Sequence, residues 1–424
     1  MTTRRTFLTL GTGAAIAVSL PNFVFANQQN LPIKLTALSQ IFGDGAKWVG
    51  VAIEFEQPLK AEDIPNQRFQ VQDRHILGLY VTDSFENGAK SEGKFVVLNL
   101  DPDDANANLV QTAPLTQREA QNYQIGEKKE NAPSLKSISQ RATINGLTLF
   151  VSDTKTAIMD EFKQEKWTDS ATGKTIRYNL FTPNNYDPKQ KYPLVLFMHD
   201  EGITGTKTKV ALYQGLGAIS WASPSDQAKH PAFILAPEFD EIVVDDKGKT
   251  SDYLETTINL IKYLSTQYTL DENRYYSTGQ SSGGALSMAM NVKYPDFFAA
   301  SYLVACQWDN NAVTPMAKNK LWITVSEDDH KVLLEQRSLL DVLEKNGAKV
   351  ARASWNAQWS QEEFQQAFNQ LTSVNANVYF VVFEKGSIFT DKNEKIEESA
   401  HRNTWKYAYS IEPIRDWIFE QRKN

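Results

Sequence analysis

Between Asp153 and Ile158 the apolar residues of this chain change their period, and that change dictates two units of different structural class. Upstream, from Leu31, the period is two. Val49, Val51, Ile53 and Phe55 fall on one face of a strand, Val96, Leu98 and Leu100 on another, and HILGLYV (His75 to Val81) and GLTLFV (Gly146 to Val151) predict further short strands. Turn signals at Asn87-Gly88, Asp101-Pro102 and Asn145-Gly146 separate them, and no helical period competes. The expectation for residues 27–157 is a small β-sandwich, with the polar stretch from Gln111 to Arg141 as a long loop or irregular crossover.

Downstream, buried-strand runs alternate with amphipathic helices. FKQEKWTDSATGKTIRYNLFTP predicts two strands joined at Ala171-Thr172-Gly173, and PLVLFMH (Pro193 to His199) is the unbroken apolar run of a central parallel strand covered on both faces. FILAP (Phe233 to Pro237), LWITVS (Leu321 to Ser326) and VYFVVF (Val378 to Phe383) read as further strands. Leu254, Ile258, Ile261 and Leu264 recur at helical spacing. A second helix ends at Asn346-Gly347, and a last one carries Ile411, Ile414 and Ile418. Residues 158–424 are therefore expected to form an α/β domain with a mostly parallel sheet.

Charge and hydropathy narrow the functions open to such a chain. The 44 basic and 51 acidic residues give a net charge of -7 without any block of like charge, which argues against nucleic acid as a partner. A mean hydropathy of -0.43, with no long apolar run beyond the N-terminus, argues against a chain that spans a membrane after processing. The first 26 residues carry Arg4-Arg5, then Phe7-Leu8, a short apolar stretch to Leu20, and the small-residue site Val24-Phe25-Ala26. This resembles a twin-arginine export signal, which makes the translocation machinery a partner and the periplasm or the cell exterior the expected location. Cys306 is the single cysteine, so no intramolecular disulfide can form, and it reads as a small buried apolar residue.

Gly279-Gln280-Ser281-Ser282-Gly283 fits GxSxG with a strand-like run before it and a helix-like run after it. A strand-to-helix turn that sharp strains its central residue and leaves room only for glycine two positions either side, so Ser281 is the candidate nucleophile. Its hydroxyl would stand at a helix N-terminus, whose dipole favours developing negative charge. A serine needs a base to take its proton, and in this order of elements base and acid follow it in sequence. Of five histidines, His401 alone comes after the last expected strand and before the final helix. The acid belongs after LWITVS, where Glu327-Asp328-Asp329-His330 offers Asp329, with Asp328 as the alternative. Metal ligation by Asp328, Asp329 and His330 lacks the paired spacing such sites use. The oxyanion donors would be the backbone amides of Ser282 and of Glu201, in the loop His199-Asp200-Glu201-Gly202.

GQSSGG, KYPDFFAASYLVACQWD (Lys293 to Asp309), LWITVSEDD and HRNTWKYAYSIEPIRDWIFEQ (His401 to Gln421) together resemble secreted bacterial α/β-hydrolases of the predicted-peptidase or polyhydroxybutyrate-depolymerase-like esterase kind. The resemblance implies an α/β-hydrolase fold behind an N-terminal immunoglobulin-like β-sandwich. It places nucleophile, base and acid on Ser281, His401 (with Thr404 and Trp405 in its H-x-x-T-W context) and Asp329. Three positions depart from it: Ser282 stands where methionine is usual, Asp328 where glycine is usual, and Asp200 where glycine commonly follows the strand histidine. Trp308 is a candidate wall of the acyl pocket or a core residue. The activity implied is hydrolysis of a small or polymeric ester through an acyl-enzyme, with no cofactor or metal. A peptidase on the same triad and a non-catalytic polymer-binding protein are the competing expectations.

Overall fold

The computed structural model describes residues 30–423 apart from 65–67, 85–87, 112–123, 130–131, 246 and 391–395. The export-like segment, Asn87 and much of the expected crossover lie outside the described residues. Contacts divide the chain into two units. One holds the residues up to Gln40 with Ala46–Val110 and Leu135–Asp160; the other holds Ile41–Gly45, Gln111–Ser134 and Glu161 onward.

Period-two patterning gives the smaller unit most of its strands: β1 (Pro32–Phe42), β2 (Gly45–Lys60), β3 (Phe69–Val71), β4 (Ile76–Thr82), β5 (Glu92–Leu100), then, after the two-residue β6 (Val110–Gln111) and β7 (Ser134–Leu135), which each have one residue in either unit, β8 (Arg141–Ile144), β9 (Leu147–Phe150) and β10 (Asp153–Thr156). One sheet has the order β10-β1-β2-β5-β4, with β1 and β10 parallel, and a second has β3-β8-β9; β6 pairs with β7. Phe69, Val71, Ala142 and Ile144 of the second sheet are buried with the expected alternation, whereas in the first sheet the consecutive residues Val51, Ala52 and Ile53 of β2 and Val96, Val97 and Leu98 of β5 are all buried, so those strands are covered on both faces. Asn145 and Gly146 take φ of 52° and 87°, the left-handed pair that a two-residue hairpin between β8 and β9 needs.

The larger unit is built on nine strands: β11 (Lys163–Thr168), β12 (Thr175–Phe181), β13 (Tyr192–Met198), β14 (Phe233–Glu238), β15 (Leu270–Gln280), β16 (Ala300–Val304), β17 (Leu321–Ser326), β18 (Val350–Trp355) and β19 (Val378–Phe383). Their order is β11-β12-β14-β13-β15-β16-β17-β19-β18, antiparallel through β11, β12 and β14 and parallel from there on. Every residue of β13 is buried, which explains its unbroken apolar run at the sheet centre. Three short helices, α1 (Val210–Tyr213), α2 (Leu216–Ile219) and α3 (Pro224–Lys229), join β13 to β14. Next come α4 (Tyr253–Gln267), α5 (Ser282–Lys293) after β15, α6 (His330–Lys345) after β17, α7 (Gln361–Thr372) before β19, then α8 (Ile396–Ala408) and α9 (Glu412–Glu420).

His401, placed by sequence only between the last expected strand and the final helix, lies on a helix of its own, α8. The residues singled out in the larger unit, Ser281, Asp329 and the His199–Gly202 loop, follow the carboxyl ends of β15, β17 and β13, and α8 follows β19. That edge of an open parallel sheet is where ligands bind.

Candidate active site

Ser281 stands between β15 and α5 at φ 52° and ψ −123°, a backbone conformation that non-glycine residues avoid. Sterics around it explain the two glycines. A Cβ on Gly279 would lie 2.4 Å from the Gly283 carbonyl carbon, and one on Gly283 would lie 2.1 Å from the Met198 carbonyl oxygen. The first turn of α5 is thus pressed against the end of β13. Two backbone bonds fix the turn, from the Ser281 amide to the Val304 carbonyl at 3.1 Å and from the Ala285 amide to the Ser281 carbonyl at 3.0 Å.

The Ser281 hydroxyl meets Nε2 of His401 at 2.9 Å, and Nδ1 of His401 meets Oδ2 of Asp329 at 2.6 Å. A carboxylate can only accept, so Nδ1 carries the hydrogen and Nε2 is left to accept from the serine hydroxyl. The Asp329 side chain is 10% exposed and the imidazole 31%, so the acid is shielded while the base opens to the site. Trp405 packs edge-on to the imidazole with ring centroids 5.0 Å apart, and Thr404 ties back to the Ala400 carbonyl at 3.0 Å. Asp328, one residue from the triad partner, turns elsewhere: its Oδ2 accepts the Gly386 amide at 2.7 Å, pinning the segment that follows β19.

Two amide groups stand at the starts of helical turns that follow β15 and β13. Ser282 opens α5, so its amide has no acceptor within the helix. Glu201 opens a single 3₁₀ turn, Glu201–Ile203, capped by Asp200, whose Oδ1 accepts the Gly202 amide at 2.8 Å. The loop is tied to the elbow by Gln280, whose side-chain amide reaches Oδ2 of Asp200 at 3.4 Å. Beneath it, His199 donates from Nδ1 to the Asp200 carbonyl at 2.7 Å and accepts the Phe239 amide on Nε2 at 3.2 Å. Burial holds His199 below its ordinary pKa, so it stays neutral in that role. Burial, helped by the charge of Asp200, holds the adjacent Glu238 carboxyl well above its ordinary value.

Trp308 lies in the apolar core with Cys306, Ala285, Val313 and Met316. Burial, then the charge of Asp329, raises the Cys306 thiol pKa, which keeps it protonated and unreactive. Among the described residues, no group of three or more His, Cys, Asp or Glu side chains could hold a metal ion, and no helix is long and apolar enough to cross a membrane. Sequence reasoning missed Gln280, His199 and the clamp made by Asp328. The first sits inside GxSxG and the second two residues before the proposed oxyanion residue, so position was the available signal for both.

A solved thermostable esterase superposes on 92% of this chain and 99% of its own, with a TM-score of 0.74 at 24% identity. Poly(3-hydroxybutyrate) depolymerase from Ralstonia pickettii is 29% identical over 150 residues, covering 32% of this chain and 30% of that protein. Feruloyl esterase B from Talaromyces funiculosus is 25% identical over 158 residues, 34% and 42% of the two chains. The chain thus spans less than half the length of these two curated relatives. Residues 34–148 match the family described as Esterase Ig-like N-terminal domain, and residues 170–381, half of the chain, match the one described as Putative esterase. This match contains Ser281 and Asp329, and with the α/β-hydrolase architecture it decides the classification: the chain belongs to that esterase family and carries the Ig-like domain of esterases ahead of its hydrolase fold.

Proposed function

We propose that this chain is an exported serine hydrolase that cleaves carboxylic esters through an acyl-enzyme. The observation that carries the proposal is the relay from the strained Ser281 through His401 to Asp329, at 2.9 and 2.6 Å. In this reading His401 Nε2 takes the Ser281 proton as Oγ attacks the ester carbonyl carbon. Asp329 holds the imidazole in the required tautomer and stabilises its cation. The amides of Ser282 and Glu201 receive the carbonyl oxygen as it becomes an oxyanion. The imidazolium then protonates the departing alcohol, and water repeats the sequence on the acyl-enzyme.

Ester preference is supported by the family and by the activities for which the two relatives are named, a depolymerase of a hydroxyacid polyester and a feruloyl esterase. Hydroxyacyl and aromatic acyl esters are accordingly the substrates to try first. Export is supported by Arg4-Arg5 and the apolar stretch behind them. The test offers the mature protein nitrophenyl esters of varied acyl group beside peptide anilides. Ester turnover that falls at least about a thousandfold in Ser281→Ala is expected. Cleavage of the anilides alone would replace the esterase reading with a peptidase, and equal turnover in Ser281→Ala would remove Ser281 from the mechanism.

A further inference from the structure

Glu201 brings a problem to the site just proposed: a carboxylate side chain belongs to the same residue whose amide is to stabilise an oxyanion. Like charges a few ångströms apart repel strongly where water is partly excluded. The chain answers this with Lys129, whose Nζ lies 2.8 Å from Oε1 of Glu201, the two side chains 12% and 28% exposed.

Lys129 lies by sequence within the range matched to the Ig-like domain, but by its contacts it belongs to the larger unit. Its backbone is held there against the segment that follows β14. The Gly126 amide donates to the Ile242 carbonyl at 3.0 Å, the Ile242 amide to Glu127 at 2.9 Å, and the Lys129 amide to Asp240 at 3.1 Å. Lys128 forms an antiparallel bridge with Glu241. Further along, the Pro133 carbonyl accepts the Tyr213 hydroxyl at 2.6 Å, and Ala132 packs where a Cβ on Gly205 would meet it at 3.2 Å. The lysine is therefore presented to the Glu201 loop from an anchored backbone.

We infer that Lys129 is a positioning residue of the oxyanion site: its ion pair fixes the Glu201 carboxylate and cancels that charge beside the Glu201 amide. The inference rests on the proposed triad and on that amide as an oxyanion donor. The effect belongs to the transition state, where the oxyanion develops, and so to kcat more than to KM.

The experiment uses the full mature chain and a nitrophenyl ester. Lys129→Met keeps the aliphatic stem, and kcat is expected to fall roughly 10- to 50-fold with KM changing less than about threefold. Affinity for an arylboronic acid, which forms a tetrahedral anion on the serine, should fall by a similar factor. Lys129→Arg should stay within about threefold of the original, and adding Glu201→Gln to Lys129→Met should recover most of the lost kcat, because the uncompensated charge is then gone. A purely structural lysine would not be rescued that way. Unchanged kcat in Lys129→Met, or a loss that Glu201→Gln fails to recover, overturns the inference. Ser281→Ala in the same assay separates the failures: if it abolishes turnover while Lys129→Met does not lower it, the inference alone falls, and if it leaves turnover intact the triad falls and takes the inference with it.

Discussion

Asp328 and Asp329 are adjacent residues of one type, after one strand, and they have different work. Asp329 accepts from His401, while Asp328 accepts the Gly386 amide. Sequence placed the acid in this loop and favoured Asp329 with Asp328 as the alternative, but residue type alone does not say which carboxylate the turn after β17 aims at α8. Substitution separates them. Asp329→Asn removes the charge that orients and stabilises the imidazole, and kcat should fall about 10³- to 10⁴-fold with the melting temperature little changed. Asp328→Ala leaves the Gly386 amide without its acceptor, so the expected cost is stability, about 1–3 kcal/mol, with a much smaller loss of kcat. Steady-state kinetics and thermal melts on both variants check this, and the reverse pattern would make Asp328 the acid.

At the scale of elements, the elbow is a close approach of three pieces of backbone: the end of β15, the first turn of α5 and the end of β13. Gly283→Ala would drive a methyl group into the Met198 and His199 carbonyls, backbone atoms that cannot swing aside. The expected cost is about 1–3 kcal/mol, read as a fall of roughly 2–10 °C in melting temperature, together with loss of ester turnover as Ser281 is displaced. A variant with unchanged melting and activity would show that the approach can relax. The elbow was legible because its glycines and its flanking periods agree. Elements with weaker agreement were not. β18 is an edge strand whose Arg352 and Ser354 interrupt any apolar run. α7 carries Phe364, Phe368 and Leu371 at helical spacing behind a capping box, Ser360 with Glu363, which the structure forms in full, but polar residues separate the three apolar ones. α8 buries Ala400, Thr404 and Ala408 at helical spacing, a signal hidden by the polar residues between them that would have put His401 on a helix.

Across the whole molecule, acid sensitivity follows from carboxyls that the fold holds below their ordinary pKa. In the larger unit Asp169, Asp271, Asp416 and Glu255 are of this kind: burial opposes their ionisation, and hydrogen bonds and cations outweigh it. In the smaller unit the clearest case is Asp104. Burial opposes its charge, but the His75 amide and ring and the Arg74 guanidinium, at 2.9 Å, hold it at about 2. A carboxyl whose folded pKa is depressed stabilises the fold above its unfolded pKa near 4, and that contribution drains away as pH falls through the folded value. His75 runs the other way. Its pKa is raised above 6.5 by the hydrogen bond to Asp104, so its contribution is present below 6.5 and is lost as pH rises through the folded value. Glu238, with its folded pKa raised by burial, likewise favours the fold more at acid pH than at neutral. The depressed carboxyls outnumber it, so stability should hold from about pH 5 to 7 and decline below pH 4. Asp104→Asn tests the largest of these contributions in the smaller unit. Discounted for solvent screening, the variant should lose about 1–2 kcal/mol at pH 7, and urea unfolding curves of variant and original should draw together as pH falls towards 2, where about half of the folded carboxyl is itself protonated. A gap that stays constant from pH 7 to pH 2 would mean that Asp104 acts through packing rather than through its charge.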